Sequence, residues 1–454
     1  MSEVAESLAS RLAELSGTGR VRTDPKSLAA YEVDGRAPSA ALLPGSVSEV
    51  AEILRFASAE RLAVIPIGGR THMDIGMPPQ RYDLALDVSA MKQVLAYEPR
   101  DLTLGVEPGI TYAELDRSLR KEGQFLPLAP SFAERATLGG IVAAAADTPL
   151  RYAHGTAKDL LLGIEFVTGE GVISKSGGRV VKNVTGYDLH KLLIGSLGTL
   201  AVITRLNFRT FPLPPGRRMF VAAFADLSGA LTLGRAIMKS PLQLRVVDLV
   251  NPRAAGLFTA YSGSILGRDS WLAVVEAAGH EKVLERHARD LASLSQDAQA
   301  TEFVALDEDH RERLFGCLCD FSPIAFGATP AATVFRIAAI FSAIPALLED
   351  TRKLAECHAL DCAILIRALS VVYIALLPPA NPEVYPELAS CSRKLMTLCV
   401  KSGVAPMIER CPLEIKNALG IWPPPGTERE ITQRLKHVFD PHCILSPGRF
   451  RGGI

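Results

Sequence analysis

The sequence predicts an α+β protein with at least two domains. From residue 41 onward, helical segments alternate with short runs of β-branched residues, which is the pattern of layered helices and strands. In the second half the order strand, helix, strand recurs, which suits an antiparallel sheet covered by helices. The chain has 454 residues, more than the roughly 250 to 300 at which one hydrophobic core stops growing.

Composition and charge exclude several classes of protein. Apolar residues make up 48% and charged residues 22%, with Lys plus Arg equal to Asp plus Glu, so the chain does not have the basic surface of a nucleic-acid-binding protein. All eight cysteines lie from Cys317 onward without a C-x-x-C pair, and a strand through Cys317 and Cys319 would point them to opposite faces. The nine histidines form no H-x-H or H-E-x-x-H arrangement. We therefore expect no metal centre or iron-sulfur cluster, and free thiols indicate the cytoplasm.

Neither of two apolar segments is predicted to be a signal peptide or a membrane span. The N-terminal stretch MSEVAESLASRLAELSG carries three glutamates among its apolar positions and predicts an amphipathic helix capped by Ser2. The later stretch CAILIRALSVVYIALLPP contains Arg367 and is shorter than the ~20 residues that span a bilayer. It predicts two β-strands, and no direct membrane span is expected.

A glycine loop is the first segment with chemical content. The loop PIGGRTHMDIGMPP follows a predicted helix capped by Ser46 and a predicted strand, AVIPIGG. Consecutive glycines at 68 and 69 let backbone N–H groups converge on phosphate oxygens, and Thr71 adds a hydroxyl donor. The spacing fits neither the Rossmann nor the Walker pattern. A glycine pair after a strand is also an ordinary turn, so this loop alone decides nothing.

Two further stretches strengthen the ligand hypothesis. Residues 136–146 carry a run of glycine and alanine that allows a flat group to lie against the backbone, although close helix-to-sheet packing would also explain the alanines. The stretch VVKNVTGYDLHKLLIGSLGTL, residues 180–200, places polar groups directly before a glycine-punctuated apolar run. One extended ligand could contact the glycine loop and both of these stretches.

These motifs carry a resemblance to a known family. In order, PIGGRT, ATLGG, KDLLLGIEFVTGEG and VVKNVTGYDLHKLLIGSLGTLAVIT resemble the PCMH-type FAD-binding domain of vanillyl-alcohol oxidase type flavoproteins. The last of them, with the closing segments IERCPLEIKNALGIWPPPG and LKHVFDPHCILSPGRFRGGI, is similar to the glycolate oxidase FAD-binding subunit and related FAD-linked oxidases. The resemblance implies a two-subdomain α+β FAD-binding domain over 1–215, an α+β cap or substrate domain with an antiparallel sheet over 216–415, and a segment over 416–454 that returns to the FAD domain.

The resemblance also assigns roles to residues. The 66–71 loop would bind the FAD pyrophosphate, and Lys182 and Asn183 would lie beside the flavin, while Tyr187 and Asp188 are expected to brace their loop. Val202 and Ile203 would pass the cofactor through backbone contacts, although β-branched strand residues are usually only core. The full set of implied cofactor-binding residues is Pro66, Ile67, Gly68, Gly69, Arg70, Thr71, Pro130, Ala136, Thr137, Gly139, Gly140, Ala143, Lys182, Asn183, Val202 and Ile203.

The chain departs from the family pattern at several positions. Arg70 stands where a third glycine is common, Ala129 where an acidic residue often precedes the proline, Lys158 where arginine is usual, and Ser446 where asparagine is frequent. Some relatives attach FAD covalently through a histidine directly after the glycine pair. Arg70 takes that place here and His72 lies two residues further on, so non-covalent FAD is expected.

The implied activity is that of an FAD-dependent oxidoreductase acting on CH–OH groups. Hydride would pass from the hydroxyl-bearing carbon of a 2-hydroxy acid to flavin N5, and an arginine would anchor the carboxylate. Arg367, Arg393 and Arg410 are candidate anchors, and Arg410 is preferred because it lies in the IER motif, although a surface arginine is the plainer interpretation. The candidate catalytic residues are Lys182, Tyr187 and Arg410.

Several alternatives stay open from the sequence. A glycolate oxidase-like subunit would work beside a second flavoprotein subunit and an iron-sulfur subunit, through which it could sit at the inner membrane. A self-sufficient oxidase of a sugar, alditol or aromatic alcohol would share the FAD domain. A non-catalytic flavin-binding electron-transfer subunit would bind FAD without oxidising a substrate.

Overall fold

The computed structural model describes residues 11–12, 14, 20–179, 186–263, 269–379 and 385–454, and the chain divides into two compact units. The first unit consists of Met1–Ala146, Thr156–Pro212 and Pro424–Ile454, and the second of Asp147–Gly155 and Leu213–Pro423. The proposed boundaries at 215 and 415 lie close to these divisions. The short insertion from Asp147 into the second unit has no counterpart in the sequence prediction. The predicted helix after Ser2 lies almost wholly outside the described residues.

The elements up to residue 212 begin where the sequence signals them. The Ser46 hydroxyl accepts the Glu49 N–H at 3.2 Å, which confirms the predicted helix cap, and the predicted strand runs into the glycine loop. In chain order these elements are β1 (Val21–Arg22), α1 (Pro25–Ala29), β2 (Ala40–Leu42), α2 (Val47–Ala59), β3 (Val64–Ile67), β4 (Leu84–Asp87), β5 (Val94–Glu98), β6 (Thr103–Val106), α3 (Tyr112–Lys121), β7 (Gln124–Phe125), α4 (Leu138–Ala143), α5 (Arg151–His154), α6 (Ala157–Leu160), β8 (Leu161–Thr168), β9 (Ile173–Gly177), α7 (His190–Leu193), β10 (Ala201–Arg209) and β11 (Phe211–Pro212).

The first unit contains two main sheets. One has the order β1-β2-β4-β3, with β2, β4 and β3 parallel, and the other has the order β5-β6-β10-β8-β9 with antiparallel neighbours. Strand β10 serves both cores because successive side chains point to opposite faces: Val202 packs into the core of the first sheet and Ile203 into that of the second. One face of the second sheet at β10 therefore packs against the core of the first sheet.

The closing segment of the chain adds to the first sheet. Val64 donates its N–H to the Ile444 carbonyl at 2.7 Å, and Ser446 donates to the Val64 carbonyl at 2.8 Å. A parallel bridge joins Val64 to Leu445. The segment thus lies alongside β3, the strand that leads into the glycine loop.

The second unit is built on one antiparallel sheet of eight strands, in the order β15-β12-β14-β13-β17-β18-β16-β19. This confirms the predicted antiparallel sheet, and β17 with β18 confirms the two strands predicted over the apolar stretch. The remaining elements are β12 (Arg217–Phe224), α8 (Leu227–Lys239), β13 (Leu244–Val250), α9 (Pro252–Ser262), β14 (Trp271–Ala278), α10 (Glu281–Asp297), β15 (Glu302–Ala305), α11 (Glu308–Cys319), α12 (Phe321–Ala328), β16 (Thr333–Ala338), α13 (Ile344–Cys357), β17 (Asp361–Arg367), β18 (Val371–Leu377), α14 (Tyr385–Lys401), β19 (Pro406–Arg410), α15 (Leu413–Leu419) and, back in the first unit, α16 (Arg429–Phe439).

Cys317 and Cys319 lie at the end of helix α11, so the strand considered for them is wrong. All eight cysteines are free thiols.

Across the ranges that the structure describes, none of the helices combines the length and the apolar character that crossing a membrane requires.

Candidate functional site

A cleft in the first unit is walled by the glycine loop, helix α4, the turn before β10 and strand β10 itself. Much of its wall is glycine or alanine, which leaves room for a broad ligand close to the backbone. Among the described residues that line it, none is Asp or Glu. They are Ile65, Pro66, Ile67, Gly68, Gly69, Arg70, Thr71, His72, Met73, Val88, Pro108, Gly139, Gly140, Ala143, Ala144, Leu197, Gly198, Ala201, Val202, Ile203 and Arg449.

The glycine loop is held against the start of α4. A Cβ on Gly69 would stand 1.7 Å from the Arg135 carbonyl oxygen, a backbone atom that cannot swing aside, so only glycine fits. The Gly69 N–H donates to the Thr137 hydroxyl at 3.3 Å. Thr137 precedes α4 but makes no side-chain cap to that helix, because its hydroxyl serves the loop instead. The loop and the small-residue helix therefore form one rigid wall.

The backbone and side-chain conformation of Arg70 explain how an arginine fits where the family pattern commonly has a third glycine. Its backbone has φ of 57°, in the left-handed region that glycine occupies without strain. The guanidinium donates to the Ala30 carbonyl at 3.3 Å and lies 5.2 Å above the Tyr31 ring. Within the described part of the chain Arg70 forms no ion pair. Its side chain thus folds back from the loop onto Tyr31.

Tyr31 is itself fixed by buried hydrogen bonds. Its hydroxyl donates to Asp87 Oδ2 at 2.9 Å, and its carbonyl accepts the Tyr82 hydroxyl at 2.9 Å. Burial, together with the Asp87 carboxylate, raises the pKa of Tyr31 to about 12, so its phenol stays protonated. The ring beneath Arg70 is therefore a stationary platform.

The opposite wall consists of the end of helix α7, a glycine turn and strand β10. Gly195 and Gly198 have φ of 78° and 68°, and the Gly195 and Leu197 N–H groups donate to carbonyls of Val142 and Ala143 at 3.0 and 2.9 Å. These bonds tie the turn to α4.

Helix α16 fixes the same turn from outside. The buried Lys436 ammonium donates to the Thr199 carbonyl at 2.6 Å, to Asp440 Oδ2 at 2.7 Å and to the Leu445 carbonyl at 2.8 Å. Asp440 in turn accepts the Ile444 and Leu445 N–H groups. One ammonium thus joins the turn at the cleft to the closing segment.

The structure brings most of the implied cofactor residues together. Pro130 and Ala136 are buried away from the cleft lining, and Ala136 belongs to the core of the second sheet. Thr137 does not line the cleft and acts through Gly69. Lys182 and Asn183 lie outside the described residues. The implied residues that do line it are Pro66, Ile67, Gly68, Gly69, Arg70, Thr71, Gly139, Gly140, Ala143, Val202 and Ile203.

Tyr187 and Asp188 lie directly after the part of their loop that falls outside the described residues, so their bracing role stays a prediction. The Tyr187 side chain is 90% exposed, and its carbonyl accepts the Ser176 hydroxyl at 3.3 Å. Asp188 pairs with Lys191 at 3.1 Å within the same turn. Among the described residues it is Ser176 that braces this segment, since its hydroxyl also accepts the His190 N–H at 3.1 Å.

Sequence reasoning missed several lining residues. Ala144 and Gly198 lay inside stretches already singled out, so their proximity was available from the pattern. Pro108 and Arg449 come from distant segments and carry no local signal. The other missed residues are Ile65, His72, Met73, Val88, Leu197 and Ala201.

The second unit holds a buried charged cluster on its sheet. Arg367 lies 3.7 Å from Asp147 Oδ2 and 3.6 Å from Asp248 Oδ2, and its guanidinium is 5.1 Å above the Tyr373 ring. The Tyr373 hydroxyl donates to Asp147 Oδ2 at 3.0 Å, and Arg151 donates to Asp147 Oδ1 at 3.1 Å. Two carboxylates of the chain therefore already neutralise Arg367, which disfavours it as a substrate anchor.

Burial sets the two aspartates apart. Burial raises the pKa of Asp248 to about 6, against the opposing effect of Arg367. Burial would also raise the pKa of Asp147, but Arg367 and Arg151 outweigh it and lower that pKa. Asp147 is the permanent anion, and Asp248 is the group that takes up a proton first.

Two other arginines lie on the neighbouring strands β16 and β19. Arg410 ends β19 and pairs with Val334 of β16, and Arg336 lies two residues beyond Val334, past a shift in the strand register. Arg336 Nη1 is 3.8 Å from Glu409 Oε2. Arg393 is exposed on helix α14. In the stretches covered by the structure, no three His, Cys, Asp or Glu side chains are grouped to hold a metal ion.

Two family models match the chain, one for each unit. The FAD binding domain model matches residues 38–177, and the model for the C-terminal domain of FAD linked oxidases matches residues 213–403. The chain belongs to the FAD-linked oxidases. It is accordingly an FAD-dependent oxidoreductase, and the prediction of FAD is confirmed.

Relatives and solved structures agree with this family of FAD-linked oxidases. The mitochondrial cytochrome-type D-lactate dehydrogenase of Arabidopsis thaliana is 25% identical, covering 91% of this chain and 73% of that protein. The D-2-hydroxyglutarate dehydrogenase of Xanthomonas citri pv. viticola is 25% identical over 95% and 94%. Glycolate oxidase subunit GlcE of Escherichia coli is 37% identical over 28% of this chain and 37% of that protein. The structure of p-cresol methylhydroxylase shares the fold, with a TM-score of 0.79, 16% identity and coverage of 99% and 97%.

The cleft of this FAD-linked oxidase fits its cofactor. The Gly69 position leaves no space for a side chain, as expected where backbone cradles a phosphate group. The glycines and alanines of α4 and of the turn before β10 leave a low wall for a flat ring. The lining carries guanidinium groups and, in its described part, no carboxylate to repel the anionic pyrophosphate.

Proposed function

We propose that this FAD-linked oxidase oxidises the hydroxyl-bearing carbon of a small 2-hydroxy acid. Bound FAD supplies the chemistry by accepting a hydride. The observation that carries the proposal is the presence of Arg336 and Arg410 on the neighbouring strands β16 and β19 of the second unit, because a guanidinium fork matches the two oxygens of a carboxylate. Two relatives that cover most of this chain are named for lactate and 2-hydroxyglutarate, which are both 2-hydroxy carboxylates.

The first unit has the cofactor role in this proposal. Backbone N–H groups of the 66–71 loop would bind the pyrophosphate, and the small residues of α4 would lie against the flavin. Val202 and Ile203 would contact it through their backbone. Lys182 and Asn183 stay candidates for the flavin ring. We assign the FAD domain to 1–215 with the 416–454 segment, and the substrate domain to 216–415.

The substrate roles fall to Arg410 as carboxylate anchor, with Arg336 beside it. The hydroxyl proton of the substrate must pass to a base or to water. Lys182 and Tyr187 stay the candidate acceptors, and the exposed Tyr187 phenol would exchange that proton directly with solvent. The buried Tyr373 pairs with Arg336 across β18 and β16, donates its hydroxyl to Asp147 and lies beneath Arg367.

Anaerobic bleaching of the bound flavin tests the substrate class. A panel of 2-hydroxy acids is compared with sugars, alditols and aromatic alcohols, and only the acids are expected to bleach the visible flavin absorbance. Arg410→Met and Arg336→Met should each raise the substrate concentration for half-bleaching about tenfold or more, since a charge-assisted hydrogen bond is lost. The exposed Arg393→Met is the matched control. Bleaching by another alcohol, or by none, contradicts the proposal.

We further propose that the chain is a subunit of a cytoplasmic, glycolate oxidase-like dehydrogenase. Relatives include glycolate oxidase subunits of Bacillus subtilis and Escherichia coli, and the described part of this chain holds no group of metal ligands for onward electron transfer. A second flavoprotein subunit and an iron-sulfur subunit are the expected partners. Steady turnover with oxygen by the purified chain alone would instead favour a self-sufficient oxidase, and FAD binding without any bleaching would favour an electron-transfer subunit.

A further inference from the structure

Arg449 places a fixed guanidinium in the wall of the FAD cleft. Its side chain is only 2% exposed. It donates to the Met73 carbonyl at 2.7 Å, to the Ile75 carbonyl at 2.6 Å and to the Met77 carbonyl at 3.5 Å. All three acceptors belong to the part of the glycine loop that follows residues 66–71, and Met77 donates its N–H to the Arg449 carbonyl at 2.9 Å. The guanidinium therefore cannot swing out to solvent.

The positive charge of Arg449 is only loosely compensated. Its ion-pair partner in the described chain is Asp34, at 3.8 Å, which is too far for a hydrogen bond. Burial lowers the pKa of the guanidinium, with Asp34, Tyr82 and Asp74 opposing that shift, and an arginine nonetheless stays protonated in a protein. The neutral carbonyls that accept from Nη1 and Nη2 do not cancel its charge. A buried charge of this kind destabilises the fold unless it is paired.

The described lining of the cleft offers Arg449 no carboxylate. Arg449 lines it, and none of the other described lining residues is Asp or Glu. Arg70, the other guanidinium of the lining, is exposed and folded onto Tyr31, so it is free to move without loss of buried contacts. FAD brings a pyrophosphate with two negative charges to the same cleft.

We infer that Arg449 is the fixed counter-charge for the FAD pyrophosphate, supplied by the closing segment rather than by the glycine loop. It distinguishes phosphorylated flavins from riboflavin, which presents only uncharged groups. This inference rests on the FAD cleft and not on the identity of the substrate. Its test therefore uses binding alone, and failure of the 2-hydroxy acid proposal would leave it untouched.

The experiment compares the Kd values of FAD and riboflavin by flavin fluorescence. For Arg449→Met we expect FAD affinity to fall about tenfold or more with riboflavin affinity unchanged, because a buried charge-assisted contact is lost. Arg449→Lys keeps the charge and should retain most of the preference for FAD. Arg451→Met is the matched control, since Arg451 is paired with Glu428 at 2.9 Å and does not line the cleft.

Three outcomes overturn the inference. Equal losses for FAD and riboflavin in Arg449→Met would make Arg449 a brace for the 73–77 stretch and nothing more. Unchanged affinity for both would remove it from the site. If Arg449→Met does not fold, Arg449→Gln decides: it must bind FAD more weakly than the wild type with its riboflavin affinity unchanged, and equal changes for the two flavins contradict the inference.

Discussion

Position 70 combines a strained backbone conformation with a stabilising side-chain contact. An L-residue in the left-handed region costs about 1–2 kcal/mol relative to glycine. Arg70 accepts that cost at φ of 57° and recovers part of it by lying over the fixed Tyr31 ring, a contact that is worth about 0.5–1 kcal/mol at an exposed site. The strain and the contact are separable by substitution.

Arg70→Ala and Arg70→Gly separate the contact with Tyr31 from the backbone strain. Both variants lose the contact with Tyr31, but only glycine removes the strain, so Arg70→Gly should be more stable than Arg70→Ala by about 1 kcal/mol. Urea unfolding measures the difference. At Arg393, in the exposed interior of helix α14, the same pair should invert, with glycine about 1 kcal/mol less stable than alanine. If the glycine and alanine variants had the same order of stability at both positions, the strain assigned to residue 70 would be refuted.

Thr137 offers a second test at the scale of one residue. Thr137→Val removes the acceptor of the Gly69 N–H and should cost about 1–3 kcal/mol of unfolding free energy, because the donor is left without its partner. FAD affinity should fall as the loop loosens. Thr137→Ser keeps the hydroxyl and should stay within about 0.5 kcal/mol of the wild type. If Thr137→Ser lost as much unfolding free energy as Thr137→Val, the effect would come from packing and not from the hydrogen bond.

At the scale of elements, helix α16 acts through one buried ion pair. Lys436→Met leaves Asp440 and the carbonyls of Thr199 and Leu445 without their common donor. Removing one partner of a buried pair costs about 3–5 kcal/mol, and we expect a loss of that size in urea unfolding. Arg434→Met on the same helix removes an exposed pair with Glu430 and should cost less than about 1 kcal/mol. Similar losses of unfolding free energy for the two variants would contradict the role assigned to the buried Lys436–Asp440 pair.

Elements marked by local signals could be predicted, and contacts between distant segments could not. The cap at Ser46, the strand before Gly68 and the turn at Gly198 follow from residue types at fixed spacing. Arg449 and Lys436 reach their carbonyls across more than two hundred residues of intervening chain, and no local pattern records such a pairing. The family resemblance found the cleft, but only packing revealed which charges line and brace it.

The pairing of the buried charges in the second unit could not be predicted from the sequence either. Arg367 was noted as an obstacle to a membrane span, yet its neutralisation by Asp147 and Asp248 depends on strand order and on the short 147–155 insertion. A strand sequence gives the face of each side chain but not the strand beside it.

For the whole molecule, Asp248 and His154 should change the stability in opposite directions as the pH rises. The pKa of Asp248 is raised from 3.8 to about 6 in the folded state, so folding binds a proton there and stability falls as pH rises through that window. Burial and the nearby Arg245 lower the pKa of His154 from 6.5 to about 4, so stability from this group is lost as pH falls from 6.5 to 4.

Thermal unfolding between pH 4 and 8 measures both effects. Relative to the wild type, Asp248→Asn should gain stability as pH rises and His154→Gln should gain stability as pH falls. Each variant removes one titration and leaves the other, so their difference curves should have opposite slopes. Parallel curves would show that neither group titrates as assigned.

The position of the closing segment has a consequence for how the protein is made. Leu445 pairs beside Val64, Lys436 holds the turn at Thr199, and Arg449 holds the part of the glycine loop that follows residues 66–71. A ribosome delivers these residues only after the whole of the 213–423 stretch has been synthesised. The cofactor cleft therefore acquires its last wall after the second unit has been synthesised, so we expect stable FAD binding only once residue 449 has left the ribosome.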